Sequence, residues 1–169
     1  LKEDQAPVDF INGFIEVYGD PLAYKASWES VVEIVDQEAG ERTRKLAGEA
    51  LWFEQHAPIR EEFKKQEVKG ITARVMQVAM LGGDCHPATP IGINLPNAEW
   101  IRERYGSKSV TLDNITYAYD MAAKSSGMID EFAGSDEEIR LAREWGTIGS
   151  NVHTDLHECL GHGSGKMLP

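Results

Sequence analysis

The residues with the clearest chemical potential lie in the segment HTDLHECLGHGSGK, which begins at His153 and holds three of the five histidines of the chain. His153 and His157 are four positions apart, so on a regular helix they differ by about 40° around the axis and share one face. His157 and His162 are five apart, which corresponds to about 140° on a regular helix. Simple helical geometry therefore favours His153 with His157 as a metal-binding pair.

The neighbours of these histidines favour the other pair. His157 and Glu158 begin the motif HECLGH, which ends at His162. In the zinc-peptidase signature HExxH, the two histidines bind zinc and the glutamate acts as general base towards the attacking water. The present motif has one residue more. A one-residue helical bulge at Gly161 would absorb this residue and bring His162 back towards His157, and such bulges are frequent at functional sites.

These histidines belong to the best-defined helix of the sequence. Ser135 followed by Glu138 forms a capping box, which predicts the start of a helix. The glycines at 161, 163 and 165 predict its end. Apolar residues recur between these two ends at helical spacing, at Ile139, Ala142, Trp145, Ile148, Val152, Leu156 and Leu160.

The first part of the chain predicts a strand followed by helices. Residues 9–21, DFINGFIEVYGDP, begin with strand-forming residues and end in a Gly-Asp-Pro turn. Residues 59–69, IREEFKKQEVK, predict a short helix. Between them Pro58 ends a long helix, which is predicted by the spacing of Trp28, Val31, Val35, Ala39, Leu46, Ala50 and Phe53.

The middle of the chain predicts β-structure, and the part after it returns to helix. Residues 71–80, ITARVMQVAM, are rich in β-branched side chains and predict a strand. Residues 81–97 are dense in glycine and proline, and the short piece IGIN within them predicts an edge strand. Residues 112–134 predict helix. The sequence therefore indicates an α+β fold that is mostly helical, with a β segment between helices.

The charge of the chain disfavours two classes of partner. It has 17 Lys and Arg against 28 Asp and Glu, a formal net charge of −11. Such an acidic excess disfavours nucleic-acid backbones and membrane surfaces, which select clustered basic residues. It is compatible with ligands that carry positive charge, such as the free amino terminus of a peptide, although solubility alone accounts for an acidic surface.

The sequence has no feature of export. Cys85 and Cys159 do not make a disulfide framework, so two reduced thiols are expected. No apolar run approaches the roughly 20 residues that span a bilayer, and no signal-peptide pattern opens the chain. We expect a cytoplasmic location. Because the chain starts at Leu1 rather than at a methionine, we also expect it to be a piece of a longer protein.

Three motifs occur in separate parts of the chain. They are FIEVYGDP at residues 14–21, GINLPN at residues 92–97, and HECLGH followed at once by GSGK at residues 157–166. Together they resemble the dipeptidyl peptidase III family of zinc exopeptidases, whose hallmark is HExxGH. The first motif is similar to the family's substrate-end segment and the second to its peptide-binding strand. All three occur in the family's order, so the resemblance extends over essentially the whole chain.

For the metal site, this resemblance implies that His157 and His162 bind Zn²⁺ and that Glu158 is the general base. The third protein ligand in the family is a glutamate from a later motif, which implies a ligand outside these 169 residues. Two histidines do not complete the three protein ligands of a catalytic zinc. We therefore expect the isolated chain to bind zinc poorly and to be inactive.

For the substrate, the resemblance implies that short peptides are bound at their amino terminus. Glu16 and Tyr18 would contact the substrate near that end, and Glu29 would help to hold its ammonium group. Asn94 and Asn97 would anchor the same end, with side chains exposed towards the cleft, beside a strand edge that pairs with the extended peptide. The implied activity is that of a zinc-dependent dipeptidyl aminopeptidase.

The resemblance also implies a two-lobed fold, in which a helical lobe carries zinc and the other lobe contains a small β-barrel. Residues 1–29 and 70–108 would belong to the β-containing lobe. Residues 30–69 and 109–169 would belong to the helical lobe, with the zinc motif in the second of these segments.

Two other functions remain open at the level of sequence. One is a peptide-binding module without turnover, and the other is an unrelated HExxH endopeptidase that uses His153 or another ligand. The intact Glu158 favours an enzyme. Among the remaining residues, we expect His153 to lie on the surface and Cys159 to pack in the core. Cys85 and His86 form too small a group to predict a metal site.

Overall fold

A computed structural model describes residues 6–16, 22, 27–68, 71–86, 89–96, 99–162 and 165–166. The fold is α+β, as predicted. Its elements in chain order are β1 (Val8–Glu16), β2 (Ser27–Val35), α1 (Gly40–Gly48), α2 (Ala50–His56), a 3₁₀ turn (Glu61–Phe63), β3 (Ile71–Gly83), β4 (Gly92–Leu95), α3 (Glu99–Tyr105), β5 (Ser107–Leu112), α4 (Asp113–Ser125), α5 (Met128–Phe132), α6 (Asp136–Leu156) and a π-helical turn (His157–Gly161).

The five strands form one sheet in the order β1-β2-β3-β5-β4. Strands β3 and β5 are parallel. The connection between them contains β4 and α3 and is long enough for the crossover that parallel strands require. The other neighbouring pairs are antiparallel. Strand β4 is the last in this order, so IGIN contributes an edge strand as predicted.

Strand β2 is the clearest difference from the predicted elements. The spacing from Trp28 onwards predicts a helix, whereas the chain is a strand as far as Val35 and becomes helical only at Gly40. In SWESVVEIV the alternate residues Glu29, Val31 and Glu33 are buried, and β-branched side chains suit a pleated strand. Strand β2 also pairs on both sides, with β1 and with β3. These long-range bonds outweigh the helical spacing.

Other elements agree with the prediction or extend it. The predicted helix over residues 112–134 is present as α4 and α5, and α2 ends at His56, just before Pro58. The helix predicted over residues 59–69 is reduced to the 3₁₀ turn. Helix α3 and strand β5 were not predicted, because both are short and they are separated by a single glycine, Gly106.

Two apolar clusters hold these elements together. The larger one packs α4, through Ile115, against the sheet, and its buried members are Ile11, Val31, Met76, Cys85, Ile93, Val110 and Leu112. The smaller one surrounds Cys159 and Leu160 of the π-helical turn with side chains of α2 and β3, among them Ala50, Phe53 and Ala73. The π-helical turn is therefore packed between helix α2 and the sheet.

In the described part of the chain, no helix combines the length and the apolar character needed to cross a bilayer. The cytoplasmic location remains a prediction. The division of the chain between two lobes also remains a prediction, and strands β2 and β5 run across two of its boundaries, after residues 29 and 108.

Candidate metal centre

Helix α6 begins at the predicted capping box. The Ser135 hydroxyl oxygen accepts a hydrogen bond from the Glu138 N–H at 3.3 Å. The Glu138 carboxylate accepts one from the Gly134 N–H at 2.7 Å. The first bond satisfies a backbone donor that the first turn of a helix leaves without a partner, and the second holds the residue before the N-cap. From this start the helix runs as far as Leu156.

The helix changes to π geometry at the metal motif. The N–H of His162 donates to the C=O of His157 at 3.1 Å, a bond that spans five residues instead of four. The predicted irregularity is therefore confirmed, and the wider turn absorbs the extra residue of HExxGH. The turn itself does not demand glycine at 161, because a Cβ there would lie 3.8 Å from the Leu156 carbonyl oxygen, an ordinary contact.

The π-helical turn brings His157 and His162 together. Their ring centres are 4.8 Å apart and their planes are nearly perpendicular, at 85°. Two imidazoles that bind one tetrahedral zinc through nitrogens ~2.0–2.1 Å away have ring centres roughly 5 Å apart, so this pair fits a zinc ion. The ligand atoms of both histidines and of Glu158 lie within 4.8 Å of one another. His153 is exposed on α6 and is outside this group.

The environment of His162 favours its neutral form. Burial lowers the pKa of its imidazole below the ordinary value, and the charges of His157 and Arg102 lower it further. A neutral imidazole keeps the lone pair that a metal ion needs, whereas a protonated one has lost it. At neutral pH this side chain therefore presents a nitrogen ready for a metal.

Glu158 lies beside the two imidazoles and is buried, with an exposed fraction of 6%. Its Oε2 is 3.9 Å from Nε2 of His162. The carboxylate also packs on strand β4, because a Cβ added to Gly92 would lie 2.5 Å from Oε1 and 2.7 Å from Cδ. The carboxylate thus fills the space that any larger residue at position 92 would need.

Two side chains of the sheet bind the main chain of Glu158. The hydroxyl of Ser109 donates to the Glu158 carbonyl oxygen at 2.7 Å. The amide of Asn94 donates to the same oxygen at 3.2 Å and to the Ser109 hydroxyl oxygen at 2.8 Å. Ser109 was not among the predicted site residues, since a serine in a short strand has no local signature.

Asp155 is a second residue that sequence reasoning missed. It is fully buried two positions before His157. Its carboxylate forms an ion pair with Arg42 of α1 and accepts a hydrogen bond from the Thr111 hydroxyl of β5 at 3.0 Å. An aspartate on the inner face of an amphipathic helix is a signal for such a buried pair, but its partners are far away in sequence. Asp155 ties the end of α6 to both α1 and the sheet.

Cys159 packs in the core, as predicted, and is not part of the metal-binding group. It is 1% exposed, and burial, reinforced by the charges of Asp155 and Glu158, raises the pKa of its thiol to about 12. A metal binds the thiolate, and this thiol remains protonated at neutral pH. Cys85 is also a free, buried thiol, and the metal-binding group found among the described residues contains neither it nor His86.

The predicted substrate residues fall into two groups. The side chain of Glu16, and all of Tyr18 and Asn97, lie outside the described residues. Glu29 is 5% exposed on β2, and Asn94 is 7% exposed on β4. The expected exposure of Asn94 is therefore wrong, because its amide is turned inward to Glu158 and Ser109. Its Oδ1 is buried and has no hydrogen-bond partner among the described residues.

An α+β fold in which a long helix ends in a paired His-Glu-His group is the arrangement of helical metallopeptidase motifs. The sequence pattern of Peptidase family M49 matches residues 1–169, and the chain belongs to this family.

Similar proteins agree with this assignment. The chain is 30% identical over 168 residues to dipeptidyl peptidase 3 of Dictyostelium discoideum, covering 99% of the chain and 23% of that protein. It is 29% identical over 168 residues to human dipeptidyl peptidase 3, covering 98% of the chain and 22% of that protein. The solved structure of DPP III from Caldithrix abyssi superposes with a TM-score of 0.74 at 29% identity, covering 96% of this chain and 30% of that one. The chain thus spans about a fifth of the length of the curated relatives.

Proposed function

We propose that the full-length protein containing this chain is a zinc-dependent dipeptidyl peptidase that releases dipeptides from the amino termini of short peptides. The observation that carries the proposal is the π-helical turn, which pairs His157 with His162 and keeps Glu158 beside them. The chain belongs to Peptidase family M49 and is similar to dipeptidyl peptidase 3 sequences, which supports the same activity.

Zinc fits the donor set of this site. The two imidazoles would hold the ion, and we propose that a glutamate outside these 169 residues completes the three protein ligands. When bound, the ion would polarise the scissile carbonyl and lower the pKa of a water molecule. The 169-residue chain alone holds two ligands and is expected to bind zinc weakly and to cleave no peptide.

Glu158 is the proposed general base. Its carboxylate oxygen Oε2 lies 3.9 Å from Nε2 of the His162 imidazole. From this position the carboxylate would reach a water molecule bound to a metal ion that the two histidines hold. The carboxylate would take the proton of that water and then return it to the departing amine. Its burial and its packing on Gly92 restrict its motion, which would keep it in place for both proton transfers.

The substrate is proposed to lie along strand β4 with its amino terminus held by acidic and amide side chains. Strand β4 is at the edge of the sheet, where an extended peptide can add its own backbone hydrogen bonds. Asn94 of this strand is one of the residues proposed for this end of the substrate. The other residues proposed for this end of the substrate are Glu16, Tyr18, Glu29 and Asn97.

The experiment compares the full-length wild type with Glu158→Gln. We expect wild type to contain zinc and to release dipeptides, identified by mass spectrometry, from peptides with a free amino terminus. Glu158→Gln should keep the metal and lose most turnover, on the order of 10²–10⁴-fold. Acetylation of the peptide amino terminus should block cleavage.

The two alternative functions, a peptide-binding module and an endopeptidase, would give other results. A peptide-binding module would bind the peptide without turnover in both proteins. An endopeptidase would cut internal bonds and would accept the acetylated peptide. Either result would refute the proposed function.

A further inference from the structure

Strand β5 presents buried hydroxyl groups to the end of helix α6. Ser109 is 1% exposed and Thr111 is 3% exposed, whereas Val110 between them belongs to the apolar core. Alternate residues of a strand point to opposite faces, so Ser109 and Thr111 share one face. Buried hydroxyls need hydrogen-bond partners. Thr111 finds its partner in Asp155, and Ser109 finds its partner in the Glu158 carbonyl.

The hydrogen bonds among Asn94, Ser109 and Glu158 form a closed set. The Asn94 amide group has two N–H donors, and one goes to the Ser109 hydroxyl oxygen and the other to the Glu158 carbonyl. The single O–H donor of Ser109 goes to the same carbonyl. That carbonyl has two lone pairs and receives two donors, so the donors and acceptors of this set match.

This set also fixes the orientation of the Asn94 amide. Rotating the amide by 180° would place its Oδ1 against the Glu158 carbonyl oxygen, and two acceptors would then face each other. The present orientation leaves Oδ1 free of the set. The amide nitrogen of Asn94 therefore binds the Glu158 carbonyl, and its oxygen takes no part in this set.

We propose that Ser109 and Asn94 are positioning residues, an inference that rests on the proposed function. Together they hold the Glu158 carbonyl oxygen of the π-helical turn, and we call this arrangement the carbonyl clamp. By holding the Glu158 main chain, the clamp fixes the general-base carboxylate relative to His157 and His162. Gly92 lies two positions before Asn94, on the same face of β4, and leaves the space for that carboxylate. The strand proposed to bind the peptide thus also positions the general base.

The test uses Ser109→Ala in the full-length protein, with Ser107→Ala as the matched control. Ser107 lies on the same face of the same strand and is 4% exposed, and its main-chain carbonyl accepts a hydrogen bond from the Thr72 hydroxyl. Ser109→Thr, which keeps the hydroxyl, is the rescue variant. The first readout is hydrogen exchange of the His162 amide in the metal-free protein, because this amide closes the π-helical turn.

For Ser109→Ala we expect the His162 amide to exchange roughly five- to tenfold faster than in wild type, the loss of about one hydrogen bond. The Ser107→Ala and Ser109→Thr proteins should remain within about twofold of wild type. In the zinc-bound protein, Ser109→Ala should lower kcat by a similar factor and change KM by less than about twofold, because the carboxylate acts in the chemical step.

Exchange at the wild-type rate in Ser109→Ala, or equal acceleration in Ser107→Ala, would overturn the clamp. The exchange experiment separates this result from a failure of the proposed function. A wild-type protein that releases no dipeptide refutes the function but leaves the exchange test in force. A wild type that releases dipeptides, with no change of exchange in Ser109→Ala, refutes the clamp alone.

Discussion

The carboxyl end and the middle of helix α6 are held in different ways. At the carboxyl end, Asp155 is fully buried and Glu158 of the following turn is 6% exposed. Both bind polar side chains of the sheet. In the middle of the helix, Trp145 and Ile148 are 53% and 55% exposed, although they belong to the apolar stripe of the helix. The carboxyl end is therefore held by buried polar contacts, and the middle of the helix is held loosely.

Contacts of the amino-terminal half lie at the protein surface. Arg143 pairs with Asp130 of α5 at 2.5 Å, but both side chains are more than half exposed. Such ion pairs contribute ~0–1 kcal/mol. Tight placement in this helix is therefore restricted to the region where the proposed chemistry takes place.

The largest effect is expected at Asp155. Asp155→Ala removes a buried carboxylate from Arg42 and Thr111 and should lower the free energy of unfolding of the full-length protein by ~2–3 kcal/mol. The matched substitution is Asp130→Ala on α5, which removes the exposed partner of Arg143 and should cost less than ~1 kcal/mol. Urea denaturation measures both. Equal losses for the two variants would remove the distinction between the two regions.

A second contrast concerns two glycines near Glu158. Gly92→Ala brings a methyl group to 2.5 Å from the Glu158 carboxylate, so this group must move. We expect kcat to fall by roughly tenfold or more. Gly161→Ala meets only an ordinary contact at 3.8 Å and should retain most of the activity. Steady-state kinetics on the full-length protein decide, and full activity in Gly92→Ala would contradict the described packing.

Acid should affect two carboxylates to different extents. Burial opposes ionisation of Asp9, but its hydrogen bond and ion pair with Lys108 of β5 outweigh burial and lower its pKa below 3.8. Arg140 lowers the pKa of Glu137, which lies on the exposed surface of α6. A carboxylate whose pKa is lowered by folding stabilises the fold at pH values above its pKa in the unfolded chain. This contribution disappears as the pH falls through its pKa in the folded protein.

Urea midpoints at pH 3 and pH 6 test this prediction. Asp9→Asn should reduce the loss of stability between the two pH values, because its contribution to that loss is gone. Glu137→Gln should change the loss much less, since the exposed pair is screened by solvent. A larger effect from Glu137→Gln than from Asp9→Asn would contradict the expectation that the pair of Asp9 with Lys108 in the sheet is stronger than the pair of Glu137 with Arg140 on α6.

The smallest effect is expected in the middle of α6. Gly149 has open space beside it, because a Cβ added there would meet no heavy atom within 4 Å. Gly149→Ala should therefore stabilise the protein by ~0.5–1 kcal/mol, because alanine restricts the unfolded chain and favours helix. Thermal unfolding measures the gain. A loss of stability would show that this face is packed more tightly than the structure describes.

Features with a local cause could be predicted from sequence. The capping box at Ser135 acts through neighbouring residues, and the irregular turn follows from the five-residue spacing of His157 and His162. Strand β4 was predicted from its glycine and proline flanks. In each case the determining groups lie within a few positions of one another, so the pattern itself contains the physical reason.

The missed features depend on long-range contacts. Ser109 and Glu158 are 49 positions apart, and Thr111 and Asp155 are 44 apart, so no local pattern reports these hydrogen bonds. Strand β2 was mistaken for helix because Trp28, Val31 and Val35 recur at helical spacing, and only pairing with β1 and β3 establishes the strand. The inward orientation of Asn94 has the same origin.

We expect the π-helical turn to make His157 and His162, rather than His153, the zinc-binding pair. Its most direct test is the zinc content of the full-length wild type, His162→Ala and His153→Ala, measured by elemental analysis after dialysis against a weak chelator. We expect about one zinc per chain in wild type and in His153→Ala, and a large loss in His162→Ala, because one of three protein ligands is removed. Zinc retained in His162→Ala but lost in His153→Ala would contradict it.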